Sequence, residues 1–202
     1  NSLLQLEKRH LWHPFTPMQA WCAEEHKPLM LVTGKGCTLT DQHGREYLDG
    51  NSSIWTNIHG HSHPTITAAI RAQLDRVAHT SFLGFTHEPA IQLGKQLVDL
   101  LPGSALSRVF YSDNGSTAIE SAIRMALQYW KQNEHPERDT ILAFDRAYHG
   151  DTLGAASVGG IPIFKGSGND FGYRVQRVPN LDALDLLTVD QTTRLAAVII
   201  EP

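Results

Sequence analysis

The sequence predicts an α/β domain built on a largely parallel sheet, and three observations carry that prediction. Short apolar runs at 109–111, 140–144, 175–178 and 195–201 alternate with helix-periodic segments at 64–79, 89–101, 117–130 and 181–187. Within this alternation, residues 108–130 read as strand, glycine-containing turn and helix in direct succession. The final run, Ala196-Ala197-Val198-Ile199-Ile200, has the unbroken apolar character of a central strand covered on both faces.

Taken in order, residues 1–35 show weak periodicity and three breakers, Pro14, Pro17 and Pro28. His13-Pro14-Phe15-Thr16-Pro17 reads as extended or turning, because a residue before proline avoids the helical region. Trp12, Phe15 and Trp21 would pin such a segment to the body of the protein. Two strand-like runs, 37–41 and 45–49, flank Gln42-His43-Gly44 and predict a hairpin. His59, His61 and His63 alternate, which in extended chain places three potential metal ligands on one face. A catalytic metal needs further ligands and supporting carboxylates, and Pro64 marks a helix start, so the segment reads as loop and N-cap. The helix that follows, 64–79, turns Ile66, Ile70, Leu74 and Val77 to one side. A second, 89–101, carries Ile91, Leu97, Val98 and Leu101 inward and stops at Pro102-Gly103.

The segment from Arg108 to Trp130 is the richest in chemistry. Val109, Phe110 and Tyr111 suit a buried strand, and Ile119, Ala122, Ile123, Ala126, Leu127 and Trp130 recur at helical spacing. Thr117 and Glu120 have capping-box spacing. Unpaired N–H groups and the positive end of the helix dipole make the turn Ser112-Asp113-Asn114-Gly115-Ser116 an anion site, with Gly115 admitting close approach. A phosphate fits such a turn, and a well-capped strand–helix connection that binds nothing has the same spacing; the turn matches neither the P-loop nor the dinucleotide fingerprint. The next strand, 140–144, empties into Asp145-Arg146-Ala147-Tyr148-His149-Gly150-Asp151-Thr152. Ligands of open α/β sheets lie beyond the carboxyl ends of strands, which places Tyr148, His149 and Asp151 on the side of the phosphate turn. Tyr148 is suited to packing or to stacking on a planar ligand. Residues 154–172, rich in Gly and Ser, read as an irregular loop, and Asn180 as the N-cap of a helix that turns Leu181, Leu184 and Leu187 inward.

The totals exclude several classes. With 202 residues, 19% charged and 41% hydrophobic, the chain has the composition of a globular protein with one substantial core. A formal charge of −4 argues against a nucleic-acid or anionic-membrane surface. Cys22 and Cys37 are too few for a disulfide scaffold, and no apolar run approaches the ~20 residues that span a bilayer. A cytoplasmic location is expected by elimination. The start without Met and the stop on an apolar strand lead us to expect a front part of something longer.

Three motifs together resemble a known family. Ser112-Asp113-Asn114-Gly115-Ser116-Thr117-Ala118-Ile119-Glu120, Tyr148-His149-Gly150-Asp151 and Ile199-Ile200-Glu201-Pro202 are similar to the subgroup III pyridoxal-phosphate aminotransferases. Leu11-Trp12-His13-Pro14-Phe15-Thr16, Asp49-Gly50-Asn51-Ser52-Ser53 with Trp55, His59-Gly60-His61 and Ala126-Leu127-Gln128-Tyr129-Trp130 resemble the branch that acts in biotin biosynthesis. The resemblance implies a fold-type I PLP-dependent transferase, aspartate aminotransferase-like, with a mixed seven-stranded large domain, and a small domain built from both chain ends. Residues 1–58 would belong to the small domain, and 59–202 would open the large, cofactor-binding one. It further implies pyridoxal 5'-phosphate as cofactor, a homodimer with shared active sites, and S-adenosylmethionine and 8-amino-7-oxononanoate as substrates.

Carried over by position, Asn114, Gly115 and Ser116 hold the cofactor phosphate and Tyr148 lies on its ring. Tyr148, Asp151, Phe15 and Ile54 border the substrate, and no metal is implied. The family pattern has Tyr at position 15 and Trp at position 54 where this chain has Phe15 and Ile54. A lost hydroxyl costs about 1–3 kcal/mol where it leaves a buried partner unpaired, so the amino donor is open to change. The Schiff-base lysine is expected beyond Pro202, with its partner Asp and a carboxylate-binding Arg. None of Lys8, Lys27, Lys35, Lys95, Lys131 and Lys165 stands in a matching motif, so no catalytic residue is assigned and the chain alone is expected to be inactive. The rival readings are a related transaminase acting on a diamine or ω-amino acid, a metal-dependent hydrolase using His59, His61 and His63, and a non-catalytic phosphate-binding module.

Overall fold

In the computed structural model, residues 2–103, 105–161 and 172–202 are described. The chain divides into two compact units, residues 1–90 and 91–202, each taken by itself below.

The first unit opens with helix α1 (Leu3–His10), whose start is closed by reciprocal bonds between Ser2 and Gln5. A short helix, α2 (Met18–Cys22), follows the proline-bounded segment. Both lie where periodicity is weak, because eight and five residues give too few turns for a pattern to emerge. Strands β1 (Leu31–Lys35), β2 (Thr38–Asp41) and β3 (Glu46–Leu48) form an antiparallel sheet in the order β1-β2-β3. The β2–β3 hairpin is the one expected, and β1 is an addition to it. Asp41 organises the turn: its carboxylate accepts from the N–H groups of His43 and Arg45, from Arg45 Nε, and from Tyr47 Oη, at 2.8–3.0 Å. Burial opposes its ionisation, yet these donors hold its carboxyl well below the usual carboxylate range. A short turn, α3 (Ser52–Trp55), runs through four successive positive-φ residues, Ser52, Ser53, Ile54 and Trp55. Helix α4 (Pro64–Leu74) has Pro64 at its first position with His63 as N-cap, as expected; it ends one turn short of residue 79, where Asp75 caps it. Ile66, Ile70 and Leu74 remain exposed on it.

Helix α5 (Glu88–Asp99) leads into the second unit; Ile91, Leu97 and Leu101, expected inward, are exposed. Residues 109–111 do not form the buried strand that the sequence predicts. Phe110 is 65% exposed, and an extended run becomes a strand only where a neighbour takes its N–H and C=O groups. Helix α6 (Gly115–Gln132) then runs 18 residues. The parallel sheet is made by β4 (Thr140–Phe144), β5 (Arg174–Val178) and β6 (Leu195–Val198), in the order β5-β4-β6 with β4 central.

Every residue of β4 is buried, and alternate residues face opposite layers. Ile141 and Ala143 pack with Ile123 of α6 and with Val158, while Leu142 and Phe144 pack with Ala147 and Val178. Trp130 Nε1 ties α6 to β6 by donating to the Ala196 carbonyl at 2.8 Å. The expected irregular loop at 154–172 begins instead as helix α7 (Leu153–Val158); residues 162–171 lie outside the described residues. Asn180 is an N-cap as expected, accepting from the Ala183 N–H, but the turn it opens, Leu181–Leu186, is 3₁₀ rather than α. Leu184 and Leu187 pack inward and Leu181 does not. Helix α8 (Val189–Thr193) leads into β6.

Candidate functional site

The start of α6 is closed by a capping box three residues earlier than the sequence spacing predicts, Asn114 with Thr117 rather than Thr117 with Glu120. The Asn114 side chain accepts from the Thr117 N–H at 3.0 Å, and Thr117 Oγ1 accepts from the Asn114 N–H at 3.1 Å. Asn114 serves better because its short side chain folds back over its own extended backbone. Among the described residues, the N–H groups of Gly115 and Ser116 are left without an acceptor. Beyond its chain neighbours and the helix's own backbone, no atom lies within 4 Å of the place a Cβ on Gly115 would take, so nothing else covers the turn on that side. Together with the positive end of an 18-residue helix, they form the donor set of an anion site.

Glu120, displaced from the predicted box, turns to the next layer. Its Oε1 accepts from the N–H groups of Gly154 and Ala155 at 2.8 and 3.3 Å. It thereby caps α7, whose own N-cap, Thr152, makes no side-chain cap bond. A Cβ on Gly154 would stand 2.2 Å from Glu120 Oε2, so glycine is what lets the carboxylate in.

The exit of β4 meets the anion turn. Ser116 Oγ accepts from the Asp151 N–H at 3.2 Å, and Tyr148 Oη donates to Asp151 Oδ2 at 2.7 Å. The bond to Asp151, aided by burial, raises the Tyr148 phenol above its ordinary range. The Tyr148 backbone is fixed from the chain just beyond β6, its N–H donating to Glu201 Oε2 at 2.9 Å. Beside it, burial pushes the His149 imidazole down, with the Glu201 charge opposing. Gly150 adopts φ +127°, and a Cβ there would fall 2.2 Å from Ser116 Oγ. Ser116, Tyr148, Asp151 and Glu201 thus gather at the carboxyl ends of β4 and β6, where ligands of parallel sheets lie. Reading the sequence did not assign Glu201 a place in this site. Its signal was an acidic residue directly after an apolar central run.

Phe15 and Ile54 belong to the first unit. Phe15 is 76% exposed at φ +50°, and Ile54 is 67% exposed at φ +60°. For a β-branched residue the left-handed region is rare and costs on the order of 1–2 kcal/mol. Asn51 accepts from the Ile54 N–H, and Asp49 takes both the N–H and the hydroxyl of Ser53. Of the three histidines, His61 Nε2 is bound to Asp49 Oδ2 at 2.7 Å, while the rings of His59 and His63 stand 6.1 Å apart. Among the described residues no three His, Cys, Asp or Glu side chains gather to hold a metal ion.

Comparison with known proteins bears directly on this geometry. The family model for aminotransferase class-III matches residues 21–202. The chain belongs to the class-III aminotransferases. Its curated relatives include the adenosylmethionine-8-amino-7-oxononanoate aminotransferases of Geobacter sulfurreducens and Aquifex aeolicus. The first is 48% identical over 165 residues, 82% of this chain and 36% of that protein; the second is 43% identical over 179 residues, 89% and 39%. The chain therefore spans a little over a third of the length of these two relatives. Among solved structures, the enzyme of that name from Methanocaldococcus jannaschii overlays with a TM-score of 0.86 at 36% identity, covering 97% of this chain and 45% of that one. A transaminase from a marine Virgibacillus overlays at 0.84 and 30% identity, covering 98% and 47%.

The expected α/β, fold-type I class is thus the observed one. Class-III aminotransferases depend on pyridoxal phosphate. The residues present suit that group: two N–H donors at a helix start have the chemistry to hold a phosphate, and an aromatic ring stands one hydrogen-bonded carboxylate away. Among the described residues no helix is long and apolar enough to cross a membrane.

Proposed function

We propose that the protein containing this chain moves an amino group from S-adenosylmethionine to 8-amino-7-oxononanoate, giving 7,8-diaminononanoate for biotin biosynthesis. The observation that carries the reading is the convergence of the anion turn and Tyr148 on Asp151. Relatives bearing that activity in their name, 38–48% identical over most of this chain, support the choice of substrates. In this reading the Gly115 and Ser116 N–H groups and the Ser116 hydroxyl hold the cofactor phosphate, and Asn114 keeps the turn in shape. Tyr148 lies against the cofactor ring and Asp151 near the incoming amine; Phe15 and Ile54 are assigned to the substrate on family resemblance alone. Bound pyridoxal phosphate supplies the electron sink; the chain's own residues orient it and fix the plane of its ring.

Residues 1–58 are assigned to a small domain and 59–202 to the cofactor-binding domain of a homodimer on family resemblance, and the cytoplasmic location by elimination. The 202-residue chain alone does not turn over, since none of its lysines stands in the family's lysine motif.

A second reading has its own support. A transaminase from a marine Virgibacillus and an omega-transaminase from Thermomicrobium roseum both overlay at a TM-score of 0.84, and Phe15 and Ile54 depart from the expected Tyr and Trp. The test is a donor screen on the full-length protein with 8-amino-7-oxononanoate as acceptor and 7,8-diaminononanoate read by mass. Product formed with S-adenosylmethionine supports the first reading. Activity with lysine or β-alanine, and none with S-adenosylmethionine, replaces it with the second.

A further inference from the structure

The segment that presents Phe15 is held by one half-buried carboxylate. Glu7, on the inner face of α1, is 16% exposed in its side chain. Its Oε1 is hydrogen-bonded to His13 Nε2 and accepts from Trp21 Nε1 at 2.9 Å. The bond to His13 keeps the Glu7 carboxyl below its ordinary range. The His13 and Trp21 rings lie 4.4 Å apart, and Trp21 in turn lies 4.6 Å from the His26 ring. Lys8, the next residue, donates to the carbonyls of Ala23 and His26, so α1 grips the chain beyond α2 as well. His13 and Trp21 bracket the turn in which Phe15 sits at φ +50°. Within it the His13 N–H reaches Met18 Sδ at 3.4 Å, and Thr16 Oγ1 donates to the Pro14 carbonyl at 2.8 Å. An aromatic residue stays in the left-handed region only where its surroundings over-determine it.

We infer that Glu7 is a positioning residue for Phe15: one carboxylate oxygen, shared by His13 and Trp21, fixes both ends of the turn and so aims the Phe15 ring. This rests on the reading that Phe15 borders the substrate. Glu7 itself touches neither cofactor nor substrate. It acts by removing freedom from a ring on an exposed loop, and loss of a contact made equally in ground and transition state shows in KM with kcat unchanged.

The test is a double-mutant cycle in the full-length holoenzyme, with KM and kcat read separately and bound cofactor followed by its absorbance. Phe15→Ala is expected to raise KM about tenfold, and Glu7→Ala to do the same with kcat and cofactor absorbance held. The double variant is expected to be no worse than Phe15→Ala alone. Glu7→Gln, which keeps an acceptor oxygen, recovers most of the loss. If Glu7→Ala lowers the melting temperature while KM stays put, or if the two effects multiply, the positioning role is overturned and the substrate role of Phe15 stands. A Phe15→Ala variant with unchanged KM overturns that substrate role and the inference with it. Should Glu7→Ala not fold, His13→Asn cuts the same link from its other end, with the same non-additivity expected.

Discussion

Ser116 and Asp151, 35 residues apart in sequence, are joined by a hydrogen bond from the Asp151 N–H to Ser116 Oγ at 3.2 Å. This bond makes the start of α6 and the exit of β4 one site. Its geometry depends on Gly150, which brings the chain across Ser116 with no room for a side chain.

Gly150→Ala is therefore expected to damage the site out of proportion to its size. At φ +127° an alanine carries on the order of 1–3 kcal/mol of backbone strain. Its Cβ also overlaps Ser116 Oγ, an atom with little freedom at a helix start. Cofactor titration of the full-length protein should show weaker binding by at least about tenfold, a loss of ~1.4 kcal/mol, with a lowered melting temperature.

Glu120 serves as the cap of α7 from a different helix, accepting from both Gly154 and Ala155. Glu120→Ala strands the N–H groups of two buried residues and is expected to cost about 1–3 kcal/mol. Glu120→Gln keeps the oxygen, loses the charge beside a helix start, and should cost less than half of that. Urea denaturation of the two variants side by side measures the difference.

Most of what surrounds this site was legible in the sequence because it rests on local rules. Helix α6, the β2–β3 hairpin, Pro64 at a helix start and the central strand 140–144 each announce themselves by periodicity, a turn dipeptide or a cap. What stayed hidden depends on partners distant in the chain. Glu120 has the spacing of a capping-box residue, yet its carboxylate bonds to amides 34 and 35 positions away. The apolar run 109–111 has strand composition, but composition does not supply the neighbour a strand needs. Helix α1 is too short for its pattern to rise above chance, and with it Glu7 escaped notice.

Acid sensitivity is expected from His149. Burial lowers its pKa below the ordinary 6.5, against the pull of Glu201, so the folded state holds a neutral imidazole that the unfolded chain protonates more readily. The unfolded state then binds more protons. Stability is full above about pH 6.5 and is lost as pH falls through the lowered value. His149→Gln, neutral throughout, should flatten the fall of the denaturation midpoint as pH drops below about 6.5; an unchanged slope would assign the acid loss to other groups.

The ring and hydroxyl of Tyr148 are separable. Tyr148→Phe leaves the ring, removes the bond to Asp151, and is expected to change cofactor affinity by no more than about twofold. Tyr148→Ala removes the ring and should weaken binding by about three- to tenfold, the worth of one aromatic stacking contact. Absorbance titration of both variants with pyridoxal phosphate separates the two contributions.

The most direct measurement is a crystal structure of the full-length protein with pyridoxal phosphate bound. The expected result is a phosphate within hydrogen-bond distance of the Gly115 and Ser116 N–H groups, with the Tyr148 ring against the pyridine. A phosphate seated elsewhere, with those two N–H groups facing solvent, would contradict the role given to the start of α6.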